Sequence, residues 1–166
     1  MKEEYKKTAE RFEKERTEAG ISFFNNCHST LADRGISLYG LVLDHSYFQR
    51  FQKKEMPEGY MDSLLGRPIE DTYNILIAHN PDYFPEYAEW GANLVLSGHI
   101  HGGIIRVPFL GGFISPAIRF FPKYDGGLFT EKGASMVLGR GIGTHAPKVR
   151  LFNPGELIVV ELTPQE

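Results

Sequence analysis

Cysteine is almost missing from this sequence. Cys27 stands alone among 166 residues, so no internal disulfide can staple the fold. A reducing compartment is the simplest home for such a chain, and Cys27 itself reads as a small buried residue, not a nucleophile. An excess of basic charge is missing too. Eighteen Lys and Arg against 21 Asp and Glu leave a net charge of −3 and a pI of about 6.1. That balance offers no electrostatic footprint for a nucleic-acid groove, and no nucleic-acid partner is expected. No apolar run approaches the ~18 residues that mark a membrane-spanning helix. The N-terminal stretch MKEEYKKTAERFEKERTEAG carries charge where a signal peptide needs an apolar core. A cytoplasmic location, or one peripheral to a membrane, is the expectation.

What is present is an ordinary globular balance: 42% hydrophobic and 13% aromatic residues, enough for one cored domain over residues 1–166. Lys2 to Ala19 has helical spacing, with Tyr5, Thr8, Ala9, Phe12 and Ala19 on one face and Gly20 placed to end it. Ile21–Phe24 reads as a short strand and Gly35–Asp44 as a longer one, apolar enough at its far end to be covered on both faces. His45–Lys54 and Met61–Leu65 read as helices. Tyr73–His79 is a strand, Pro81–Trp90 a helix capped by Asn80 and closed by Gly91, and Asn93–Ser97 a second strand. This strand–helix–strand unit has the size of a parallel crossover. A glycine- and proline-rich loop follows over 102–124, then a hairpin over 125–139 and a terminal strand over Glu156–Leu162.

Two segments carry the chemistry. Ile77-Ala78-His79-Asn80-Pro81-Asp82 and Ser97-Gly98-His99-Ile100-His101-Gly102-Gly103 each set histidine just past the C-terminal end of an apolar strand. Open α/β sheets build their ligand sites at that edge. Neutral imidazole is the commonest side-chain ligand for first-row transition metals, and the flanking glycines allow sharp turns. A single strand-end histidine is more often solvated or structural. Three in adjacent units, with glycine flanks, leave metal or phosphate binding and a bland structural reading both open.

The paired segments resemble the last two signatures of the calcineurin-like metallophosphoesterases: a strand ending in histidine, then G-H-x-H. The downstream segments Gly139–His145 and Val149–Leu157 are similar to the closing strands of a bacterial branch of that family. The resemblance implies an α/β fold, part of a four-layer α/β/β/α sandwich with mixed sheets. It implies His79 and His99 as ligands of one metal and His101 as a ligand of another. The implied activity is hydrolysis of phosphomonoesters or phosphodiesters at a two-metal centre of Mn, Fe or Zn, ~3.5–4 Å apart. The substrate would be a small phosphoester or a lipid-like one.

The same family opens with D-x-H, G-D-x-x-D and G-N-H-(E/D), and none of these occurs here. Asp44-His45 lacks the intervening residue, Asn25-Asn26-Cys27-His28 is not G-N-H, and Gly59-Tyr60-Met61-Asp62 has no Asp after Gly. Met1 is therefore expected to lie just beyond the third motif, with the N-terminal strands missing and the chain forming the C-terminal portion of the domain. Without the bridging carboxylate, at most one weakly held ion and no activity are expected of this chain alone. Exposed apolar sheet would then drive homo-oligomerisation or pairing with a separate N-terminal chain. A non-catalytic remnant that self-associates or binds a partner is the alternative.

Three further residues fall near the expected pocket. Asn80 and His145 are candidate substrate contacts. Arg140 is another, with pairing to a carboxylate the preferred reading. His28 and His45 read as surface or structural residues, and Asp82 as a first-turn helix charge. The apolar segment Ile104–Ile114, continuing to Phe120 and Phe121, reads as a hydrophobic cover over the pocket.

Overall fold

The computed structural model describes residues 2–49, 52–107, 111–114, 120–143 and 149–164. Its centre is a six-stranded mixed sheet in the order β1-β2-β3-β4-β8-β7, made from β1 (Cys27–Leu31), β2 (Ile36–Leu41), β3 (Tyr73–Ala78), β4 (Leu94–Ser97), β7 (Gly127–Glu131) and β8 (Ala134–Leu138). The four inner strands are parallel, and the two edge strands run antiparallel to their neighbours. An α/β architecture with a mixed sheet is what the sequence leads one to expect. A separate antiparallel pair, β5 (Ile105–Val107) and β6 (Gly111–Ile114), lies within the segment read as loop.

Register explains the core. Tyr39, Leu76, Val95 and Met136 stand in one row across the parallel strands, and each is fully buried. Two short helices, α2 (Tyr60–Leu65) and α3 (Phe84–Trp90), cover this face with Met61, Leu65, Phe84 and Tyr87. Burial of each such side chain contributes about 2 kcal/mol. Trp90 packs edge-on against Tyr39 at 4.9 Å between ring centroids, and its indole N–H donates to the Gly66 carbonyl.

The next row, Gly40, Ile77, Leu96 and Val137, faces the other way and is much less covered; Ile77 is 44% exposed. On that face Ile75 and Leu94 are buried, whereas Tyr73 at the N-terminal end of β3 is 41% exposed and Ile77 lies open near the C-terminal end. A groove of about 670 Å³ runs there, lined by Phe24, Ile77, Leu96, Val137, Ile158 and Val160.

Several expectations are corrected. Ile21–Phe24 is no strand; Phe24 instead lies across Gly40, where a Cβ would come within 2.2 Å of it. Among the described residues of the expected helix His45–Lys54, only His45–Phe48 is helical, as a 3-10 turn, with Asp44 accepting from the Ser46 N–H. Its apolar residues are too few and too irregular to make a helical stripe. Glu156–Leu162 forms no strand, because no neighbour pairs with it among the described residues. Its apolar side chains alternate in exposure: Ile158 and Val160 turn to the groove, while Leu157 and Val159 are 89% and 87% exposed. Cys27 is exposed, at the start of an edge strand. The first helix, α1 (Lys2–Glu18), forms as read, but its described side chains are all exposed. It is supported by i,i+4 pairs such as Lys6–Glu10 and Arg11–Glu15, worth a few tenths of a kcal/mol each.

Candidate metal centre

β3 and β4 are parallel neighbours, so their C-terminal extensions reach the same edge of the sheet. His79 follows Ala78 directly, and His99 follows Ser97 by two residues. The backbones are bonded there: the His79 carbonyl accepts from the Gly98 N–H at 3.3 Å and the Ser97 hydroxyl at 3.1 Å. The result is two imidazoles with centroids 5.2 Å apart and planes inclined by 71°.

Phe48, from the 3-10 turn, packs edge-on against His99 at 5.2 Å and lies 6.4 Å from His79. Protein crowding around His79 holds its pKa below the ordinary imidazole value of 6.5, although the residue keeps exposed surface. Desolvation penalises the cation and so favours the neutral form, the form in which imidazole binds a metal.

His101 stands two residues beyond His99 in the same turn, and both have left-handed backbone, with φ of 52° and 70°. Among the described residues no three His, Cys, Asp or Glu side chains lie together so as to hold a metal ion. The donor set offered at this edge is thus a pair of imidazoles, His79 and His99, which fits part of a metal centre and not a complete one.

Three curated proteins align with most or half of the chain. YkuE, an uncharacterized metallophosphoesterase of Bacillus subtilis, is 27% identical over 148 residues, which cover 88% of this chain and 48% of YkuE. An uncharacterized metallophosphoesterase of Aquifex aeolicus is 33% identical over 91 residues, 54% of this chain and 33% of its own. A putative metallophosphoesterase of Caenorhabditis elegans, F40B5.2, is 27% identical over 158 residues, 85% of this chain and 31% of its own. The chain is a relative of the calcineurin-like metallophosphoesterases. It spans about half the length of these metallophosphoesterases or less. No family model and no solved structure matches it.

The remaining candidates can be placed around this histidine edge. Asn80 is 3% exposed, and both ends of its amide serve the chain itself: Nδ2 donates to the Tyr47 carbonyl and Oδ1 accepts from the Asp82 N–H. That is the geometry of a cap tying the 3-10 turn to β3's end. Asp82 sits in the first turn after it. Arg140 pairs with Glu156, whose carboxylate also accepts from the Arg140 main-chain N–H. His145 lies outside the described residues. His28 is exposed and stacks near Tyr39, and His45 opens the 3-10 turn.

Sequence reasoning missed Phe48, Asn153, Arg150 and Arg106. Phe48 was hidden inside an assumed helix. Asn153 and Arg150 lie in the segment noted only for its family likeness, and the turn chemistry of Asn153-Pro154-Gly155 was the available signal. No helix among the described residues is long and apolar enough to cross a membrane.

Proposed function

We propose that this chain supplies the histidine half of a two-metal phosphoesterase centre, completed by carboxylates from outside the described residues. The pair of neighbouring imidazoles at the ends of β3 and β4 carries this reading. His79 and His99 would hold one ion and His101 the other. The ion pair would be Mn, Fe or Zn, and when bound it would supply an activated water and neutralise phosphate oxygens. The chain's own part is to present imidazole nitrogens at one edge of the sheet, with Phe48 packed against His99 to limit how its ring can turn. The substrate class is a phosphomonoester or phosphodiester, small or lipid-like. Alone, the chain holds at most one weakly bound ion.

A second reading is favoured by the groove on the open sheet face: a non-catalytic module that self-associates or takes up a separate N-terminal chain there.

Metal content per chain, hydrolysis of bis(p-nitrophenyl) phosphate with Mn²⁺, and molecular mass in solution separate the two. About two ions per chain once the family's N-terminal portion is supplied in trans, with turnover lost in His79→Ala, His99→Ala and His101→Ala, supports the first reading. Turnover that survives all three substitutions overturns it. A metal-free, inactive, self-associated chain supports the second, and a monomer with tightly bound metal and turnover counts decisively against it.

A further inference from the structure

The turn that carries His99 and His101 does not hold itself. Left-handed backbone is disfavoured for residues with a Cβ, and here two histidines adopt it within three positions. Two bonds lie within the turn, from the Ile100 N–H to the Gly98 carbonyl at 2.8 Å and from the Gly103 N–H to the Ile100 carbonyl at 2.9 Å. The three outgoing carbonyls of residues 101, 102 and 103 are all held from elsewhere in the chain.

Asn153 takes the first and the third. It is 3% exposed, and its Nδ2 donates to the His101 and Gly103 carbonyls at 2.7 Å each, so both amide hydrogens are used. Arg106 takes the second, donating to the Gly102 carbonyl at 3.3 Å while paired with Asp125. Asn153 is itself fixed. Its Oδ1 accepts from Arg150 Nη2 at 3.3 Å, and Arg150 Nε donates to the Asn153 carbonyl at 2.8 Å. The same guanidinium reaches the Gly141 and Gly143 carbonyls at 3.0 and 2.7 Å. The packing leaves no slack: a Cβ on Gly102 would lie 2.7 Å from both Asn153 Oδ1 and Arg140 Cδ.

We infer that Asn153 is a positioning residue for the histidine turn, held in place by Arg150. It reads the main chain on both sides of Gly102 and fixes the conformation in which His99 and His101 project as ligands. A planar amide suits the task, because two donors on one nitrogen can bridge two carbonyls. A carboxylate of the same size has no donor to give. The functional consequence rests on the metal-centre reading above, while the clamp stands on the hydrogen bonds alone.

The test uses the whole chain with Asn153→Leu and Asn153→Asp, the second keeping an acceptor for Arg150, and His101→Ala as control. Amide hydrogen exchange is followed by residue, and Co²⁺ alone is titrated by its visible absorption. The expected result is faster exchange at Ile100 and Gly103, by about tenfold or more, with β3 and β4 unchanged, and Co²⁺ affinity lowered roughly 10- to 100-fold. If Asn153→Leu loses the fold, Asn153→Asp decides. Loop exchange and Co²⁺ affinity unchanged in a folded variant would overturn the clamp. If the wild type takes no Co²⁺, or His101→Ala leaves binding unaltered, the metal reading of His101 fails and the exchange data alone judge Asn153.

Discussion

The row Tyr39, Leu76, Val95 and Met136 is sealed, whereas the adjacent row Gly40, Ile77, Leu96 and Val137 is half open. Both rows come from the same four parallel strands, one residue apart, and both are apolar. What differs is what lies above them. Helices α2 and α3 cover the first row with aromatic and aliphatic side chains. Over the second lie Phe24 and the extended segment bearing Ile158 and Val160. Strand sequence alone thus asks for cover on both faces, and only one face receives it fully. The histidine edge sits where the less covered face opens.

The sharpest way to probe this contrast is one truncation on each side of β3. Leu76→Ala, at a fully buried position, should cost about 3 kcal/mol in urea denaturation. Ile77→Ala, its neighbour on the open face, should cost about 1 kcal/mol or less, since little new cavity forms. Equal losses would mean that the open face is covered in solution, for instance by a second copy of the chain.

A smaller effect is expected where Phe24 crosses the sheet. Gly40→Val would drive a Cβ to within 2.2 Å of the Phe24 Cβ and carbonyl oxygen, costing about 2 kcal/mol as the 21–26 segment shifts. Phe24→Ala should not rescue it, because the clash includes the Phe24 main chain. Rescue by that second substitution would show that only the ring is in the way.

The smallest effect concerns the anchor of the C-terminal segment. A hydrogen bond from Arg140, more than any other influence, holds the Glu156 carboxyl below its ordinary value of 4.5. A depressed carboxylate contributes stability that is complete above the unfolded pKa and is lost as pH falls through the folded one. Glu156→Gln should therefore cost about 1 kcal/mol at pH 7, since the pair is partly solvent-screened. That deficit should shrink as pH drops below 4.5. Thermal melts of both proteins across that range check it, and a deficit constant with pH would assign the effect to packing.

Much of the helix-covered half was legible because local signals there agree. Tyr73–His79 and Asn93–Ser97 are short apolar runs; between them Asn80 and Pro81 open a 3-10 turn, Pro81–Tyr83, where the sequence predicts one helix over Pro81–Trp90, and Gly91 closes α3. The histidine pair followed from that unit, since parallel neighbours end at one edge. The other half was harder to read. Ile105–Val107 and Gly111–Ile114 are too short for a period-2 pattern to stand out, so their pairing was invisible beforehand. Glu156–Leu162 has strand-like alternation, but a strand exists only if a neighbour offers its hydrogen bonds.

By itself, then, the sequence determined the crossover unit, its caps and the residue types at the histidine edge, because each depends on contacts within a few residues. Only the tertiary structure decided which sheet face is sealed, and only it brought Asn153 to the carbonyls of His101 and Gly103 across some fifty residues of chain. Such contacts depend on where distant segments meet, and no local pattern of side chains records that.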